Sequence, residues 1–217
     1  MPTPRTAAKG ELRVFLNVEN LQPQFAAYMG TPTRARGYPP YAGQHALIIE
    51  VAPGLMIERV MDLALKADPD LEPGILFVER QFGILEIHGS DKDKLMAAGR
   101  AVLKGMALTE GDQLAPRILF TDVIENIADQ HAVIINRNRQ ASMVMPGETL
   151  LVCEMVPALY AAIAANEAEK VAPKLTLVDV QMIGAAGRLY MSGKTEDVER
   201  GLAEIERVLA GIEGRKA

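Results

Sequence analysis

GQHALIIEVAPGLMIERVMDLALKADPDL, from Gly43 to Leu71, returns 104 positions later as GETLLVCEMVPALYAAIAANEAEKVAPKL, from Gly147 to Leu175. The register continues without a gap to Asp93 and Asp197. Identities fall at Gly43/Gly147, Leu47/Leu151, Glu50/Glu154, Pro53/Pro157, Leu55/Leu159, Ala64/Ala168, Lys66/Lys170, Pro69/Pro173, Leu71/Leu175, Gly83/Gly187, Leu85/Leu189, Gly89/Gly193 and Asp93/Asp197. These are 13 matches in 51 positions, against about 3 for unrelated sequences of average composition. A period this long exceeds the roughly 20 to 50 residues of solenoid repeats, so each copy is a whole folded domain. Upstream, Arg13 and Arg117 extend the same register.

The expected division is a first domain over residues 11–108 and a second over 115–213, joined through the polar stretch LTEGDQLA. Residues 1–10, polar and proline-bearing, are expected to form a flexible tail and lack the apolar core of a signal peptide. Of the 217 residues 49% are hydrophobic and 24% charged, with a net charge of -5. Acids and bases are interspersed, so there is no basic block to neutralise phosphates, and neither a nucleic acid nor a membrane surface is an expected partner. No segment approaches the roughly 20 apolar residues of a membrane span. The single cysteine, Cys153, excludes an internal disulfide and, inside LLVCEM, reads as a buried small hydrophobe that suits a reducing cytosol.

Both copies present the same order of patterns. LRVFLNV and RILFTDV are short β-runs, followed by the glycine- and proline-rich YMGTPTRARGYPPYAGQ in the first copy and the β-like AVIINRN in the second. HALIIEV and TLLVCEM are strands that end in proline. A helix follows each, with Leu55, Ile57, Val60, Met61 and Ala64 on one face in the first copy. GILFVER and LTLVDVQMI, then GILEIHG and GRLYMSG, are strands. A closing helix carries Leu95, Ala98, Val102 and Met106, or Val198, Leu202, Ile205 and Leu209, with Ser90 and Asp93 as a capping-like start. The fold class is α+β: two tandem ferredoxin-like domains, each a sheet with helices on one face.

The connections between the last two strands differ. The first, VERQFG, carries Glu79 and Arg80, then Gln81, Phe82 and Gly83. The second, Met182, Ile183, Gly184, Ala185, Ala186 and Gly187, is small and uncharged. Together with DLALKADPDL and NEAEKVAPKL, and with VERQFGILEIHG and QMIGAAGRLYMSG, this layout resembles the tandem-domain bacterial microcompartment shell proteins. The match is to the trimeric, circularly permuted subclass found in carboxysome and metabolosome shells.

That resemblance implies a homotrimer whose six domains form a pseudohexagonal tile, possible face-to-face stacking of two trimers, and edge contacts with other shell proteins. It implies that Glu79 to Gly83 line a gated central pore for small polar metabolites, with Met182 to Gly187 as the second domain's loop. It also implies that Lys66 and Lys170 lie at the tile edge, where a long stem packs and an ammonium reaches carbonyls. Conformational freedom at Gly83 is expected to serve a loop with two states. No cofactor and no metal are expected, since neither loop carries a cysteine.

Two other classes compete. An enzyme is not expected: His45, His88 and His131 lie in unrelated patterns, and no HExxH, GxSxG, P-loop or GxGxxG occurs. A duplicated small-molecule-binding regulatory protein would share the fold. It should carry a glycine-rich effector loop where this chain has Pro53 and Pro157.

Overall fold

Residues 10–31 and 37–216 are described by a computed structural model of the chain. The flexible tail expected for residues 1–10 lies, Gly10 apart, outside the described residues. The first domain runs β1 (Glu11–Val18), α1 (Pro23–Met29), β2 (His45–Ala52), α2 (Met56–Ala67), β3 (Glu72–Glu79), β4 (Phe82–Gly89) and α3 (Lys92–Met106). A 3-10 turn at Glu110–Asp112 leads to β5 (Arg117–Ile124), α4 (Asp129–Asn138), β6 (Thr149–Val156), α5 (Tyr160–Val171), β7 (Thr176–Gln181), β8 (Gly187–Gly193) and α6 (Thr195–Ala210). The two antiparallel sheets have the orders β1-β2-β4-β3 and β5-β6-β8-β7, so the duplication is one of topology as well as sequence.

HALIIEV reads as an almost continuous apolar run because β2 is buried on both faces. Leu47, Ile49 and Val51 pack under α2 and α3 with Leu85 and Ile87 of β4. Ala46 and Ile48 face the other way, into a cluster shared with α1, α5 and the second sheet. The long helices thus lie on one face of each sheet, and short α1 and α4 lie toward the other.

That shared cluster fuses the two domains. Phe25, Tyr28 and Met29 of α1 are buried against the second domain, each worth about 1.5–3 kcal/mol by area. Polar groups align the seam. Asn166 accepts from the Gln22 amide at 2.9 Å, and the buried Glu169 carboxylate accepts from the amides of Gln24 (2.8 Å) and Phe25 (3.0 Å), capping α1. Burial pushes the Glu169 pKa up while those amides hold it down. Gln24 donates to the Leu175 carbonyl and accepts from the Leu177 amide, and the Tyr28 hydroxyl donates to the Val180 carbonyl. α5 is alanine-rich because it is covered nearly all round: Tyr160, Ala161, Ala162, Ala164, Ala165 and Ala168 are all buried.

Several expectations are corrected. AVIINRN is helical, in α4. Its β-branched residues favour a strand locally, but tertiary contacts prevail: Ala132 is buried at helical spacing from the partly buried Ile135, and Asn136 bonds the Val144 backbone through both its amide atoms. α1 falls partly within the stretch read as loop. Leu55 is the exposed N-cap of α2 and not part of its buried face. Asp91, not Ser90, caps α3, accepting from the amides of Asp93 and Lys94.

Finally, Arg13 and Arg117 are not equivalent. Glu11 lies opposite Ala52, and Arg117 lies opposite Val156. The first strand is therefore offset by 106, two more than the strand it pairs with, and the counterpart of Arg13 is Leu119.

Candidate functional site

β3 and β4 are joined by a two-residue turn, Arg80–Gln81, closing on the Glu79–Phe82 pair. Arg80 carries the turn in a left-handed conformation (φ 54°), which a non-glycine residue adopts only where the fold requires it. Its side chain is 90% exposed, and its Nε lies 3.8 Å from Glu79 Oε1, an ion pair too long to be a hydrogen bond. Gly83 has no positive φ. It is needed for close approach: a Cβ there would meet the Gly54 carbonyl oxygen at 2.1 Å and Ile57 Cβ at 2.7 Å. Its counterpart Gly187 stands in the same way against the Ala158 carbonyl, at 2.3 Å. The duplicated glycine thus pins the root of each hairpin on the turn before α2 or α5, and the expected freedom at Gly83 is corrected to a fixed contact.

The base of the charged turn is held by residues that sequence reasoning did not single out. The Arg13 guanidinium lies 3.8 Å from the centroid of the Phe82 ring and donates from Nε to Glu50 Oε1 at 2.6 Å. Glu50 is 1% exposed. Burial pushes its pKa up, and the Arg13 hydrogen bond and charge oppose this. In the second copy the equivalent acid finds a different arginine: Arg188 Nε donates to Glu154 Oε1 at 2.8 Å and Nη1 to Gln181 Oε1 at 3.2 Å. The signal was present in the sequence, since Glu50/Glu154 is one of the duplicated identities. The partners are not duplicated.

The second connection follows β7. Met182 is buried, Ala185 is exposed, and Gly184 takes φ 138°. Both turns face one cleft of about 500 Å3, lined on one side by Arg13 and Glu79 to Phe82 and on the other by Gln181, Ile183 to Ala186 and Arg188. Folding therefore brings together two loops about a hundred residues apart. Lys66 and Lys170 stand away from this cleft, exposed in the last turns of α2 and α5 and paired within their own helices to Asp62 (2.7 Å) and Glu167 (3.3 Å).

The histidines form no site. His45 accepts from the Asn20 amide, His88 is buried with its Nδ1 3.0 Å from Glu86 Oε1, and His131 is exposed on α4. Among the described residues no group of three or more His, Cys, Asp or Glu could hold a metal ion, and no helix is long and apolar enough to cross a membrane. Burial raises the pKa of the Cys153 thiol to about 11, which makes it a packing residue.

Residues 12–112 match the CsoS1D N-terminal domain family. Over 206 residues the chain is 43% identical to carboxysome shell protein CcmP of Synechococcus elongatus, covering 95% of each. The chain belongs to the CcmP/CsoS1D family of shell proteins. Carboxysome shell protein CsoS1D of Prochlorococcus marinus is 42% identical over 203 residues, 93% of this chain and 78% of that one. Among solved structures, the double-ringed trimeric shell protein MSM0271 from the RMM microcompartment is 60% identical. It covers 96% of this chain and 100% of that one, with a TM-score of 0.92. The fused permuted hexameric shell protein MSM0275 of the same microcompartment is 47% identical, with a TM-score of 0.90 and 95% of this chain covered. The CcmP/CsoS1D match spans both copies and their permuted order, and the permuted, duplicated α+β fold is the family's.

Proposed function

We propose that this chain forms a homotrimeric tile of a bacterial microcompartment shell, with three Glu79–Gly83 turns around a central aperture that they open and close. By its family the protein is a structural shell protein and not an enzyme, and its place is the microcompartment shell. The regulatory alternative gains no support from any relative.

One observation carries the gate: the charged and uncharged hairpin turns emerge side by side and line a single cleft. Threefold symmetry turns Glu79 and Arg80 into rings of three carboxylates and three guanidiniums, a known device for pore selectivity. Glu and Arg of neighbouring turns can then pair by bidentate, charge-assisted bonds and close the hole. Since exposed pairs contribute only about 0–1 kcal/mol, turning outward to water costs little, and both states can be populated. The clamp of Arg13 on Phe82 and the contact at Gly83 confine that motion to Glu79–Gln81. Small polar metabolites are the proposed traffic. Lys66 and Lys170 are the proposed tile-edge contacts with other shell proteins, and the double-ringed architecture of MSM0271 supports stacking of two trimers.

Structures of the wild-type trimer and of Glu79→Ala and Arg80→Ala test the gate. Both variants are expected to remain trimeric with the aperture shifted between its states. An unchanged aperture in both would overturn the gate.

A further inference from the structure

Glu86 and His88 are buried titratable groups that the proposed gate does not use. Both are 0% exposed on one face of β4, with His88 Nδ1 3.0 Å from Glu86 Oε1. Glu86 Oε2 and His88 Nε2 have no hydrogen-bond partner. Glu72, half-exposed on β3, brings its Oε2 to 3.6 Å from His88 Nε2, too far for a hydrogen bond. Two carboxyls and an imidazole thus form a row from the surface into the sheet. Burying such groups is costly unless they are paired and fully bonded. The fold does not require them: the second copy builds the same strand order with Thr176, Tyr190 and Ser192 at these positions.

The backbone around the pair is shaped to it. Pairing of β3 with β4 shifts between Pro73 and Ile75, which leaves Gly74 as a bulge beside Glu86. A Cβ on Gly74 would stand 2.2 Å from Glu86 Oε2 and 2.9 Å from the Tyr38 carbonyl oxygen. Residues 37–38 lie over this bulge: the Tyr38 amide donates to the Pro73 carbonyl at 2.9 Å, and a Cβ on Gly37 would strike that carbonyl oxygen at 2.2 Å. In the second copy the bulge carries Val178 and the overlying residue is Ala141. Both glycines therefore belong to the copy that holds the buried acid.

We propose that Glu86 and His88 form a proton-operated latch, which holds residues 37–38 on the β3 bulge while the pair keeps its shared proton and releases them when that proton is lost. The latch lies at the opposite end of the β3–β4 hairpin from the Glu79–Phe82 turn, and it does not depend on the trimeric tile.

Electrostatics gives the direction. With the proton the pair is neutral overall and joined by its hydrogen bond. Without it a buried carboxylate remains, its Oε2 across Gly74 from the Tyr38 carbonyl oxygen, and Glu72 is a second anion beyond the imidazole. The facing residues of β2 are Ala46 and Ile48. α1, which shares their cluster, carries only the Tyr28 hydroxyl, bonded to the Val180 carbonyl. The Tyr38 side chain is exposed, and among the described residues no lysine or arginine pairs with Glu72, Glu86 or His88. The stranded charge is relieved by water, which reaches Oε2 only if residues 37–38 lift. Burial raises the Glu86 pKa, opposed by the His88 hydrogen bond, the His88 charge and the Gly74 amide. A carboxyl with a raised pKa contributes stability below its unfolded value and loses it as pH climbs through the folded one, so the latch is closed on the acid side and opens toward alkaline pH.

Hydrogen exchange of the intact protein between pH 5 and 8.5, expressed as protection factors so that intrinsic base catalysis divides out, tests the latch. In wild type the protection of peptides over residues 37–42 is expected to fall about tenfold, the effect of one pKa unit. Peptides over residues 140–145, the equivalent stretch without the pair, are expected to stay constant. Glu86→Gln and His88→Gln, each of which removes the titration, are expected to show no fall over residues 37–42. A constant factor in wild type, an equal fall over residues 140–145, or an unchanged fall in either folded variant would overturn the latch.

Discussion

Replacing Arg13 by Met keeps the length of the stem and removes the charge, which leaves Glu50 buried at 1% exposure without its cation. Breaking a buried pair from one side costs about 3–5 kcal/mol, and the lost contact with the Phe82 ring adds about 0.5–2 kcal/mol. For a chain of this length each kcal/mol is about 2–4 °C in Tm, so a fall of roughly 7–28 °C is expected. The loss depends on pH. Glu50 has a folded-state pKa raised above the ordinary 4.5 by burial, and Arg13 opposes the rise. A carboxyl whose pKa is raised contributes stability below its unfolded value and loses it as pH climbs through the folded one. Without Arg13 the folded pKa rises further, so the variant's deficit is small below about pH 4.5 and grows toward neutrality. Thermal unfolding at fixed protomer concentration from pH 4.5 to 8 measures this. Arg13→Met with Glu50→Leu, which removes both charges, is expected to recover stability to within about 1 kcal/mol of wild type. A single variant that loses less than about 1 kcal/mol at pH 8, a loss independent of pH, or a double variant no better than the single would refute the account.

Gly83→Ala and Gly187→Ala each drive a Cβ into backbone oxygen. They are expected to cost about 1–3 kcal/mol by overpacking, with the chevron or melting curve as readout. Gly89→Ala, whose Cβ would meet a flexible Leu71 methyl at 3.0 Å, is the milder control, and equal losses at all three sites would count against the close-approach reading. Lys66→Glu with Lys170→Glu is expected to leave the trimer and its Tm nearly unchanged while hindering sheet formation seen by electron microscopy. Normal sheets would remove both lysines from the tile edge.

The 104-residue repeat marks two equivalent domains in the sequence, because a duplicated core must keep its apolar periodicity, its turn glycines and its strand-ending prolines to pack at all. Each strand and each long helix was legible for that reason. The charged turn was legible too, since Glu79 and Arg80 stand alone between two apolar strands. Where the reading failed, local pattern and tertiary contact disagree. AVIINRN has the composition of a strand and is a helix, and Leu55 has the spacing of a core residue and lies exposed. The register of Arg13 went astray because two extra residues separate the first strands, a shift visible only in strand pairing.

By itself the sequence determined the duplication, the order of elements, and which loop carries charge, since all of these follow from short-range periodicity and residue identity. Only the tertiary structure decided that the two loops share one cleft, that Arg13 and Glu50 anchor one of them, and that α1 locks the first domain onto the second. Those contacts join residues 37 to about 150 positions apart, and no local pattern encodes such a distance. The reason is that an arginine, a glutamate and a glycine acquire their meaning from what burial brings against them.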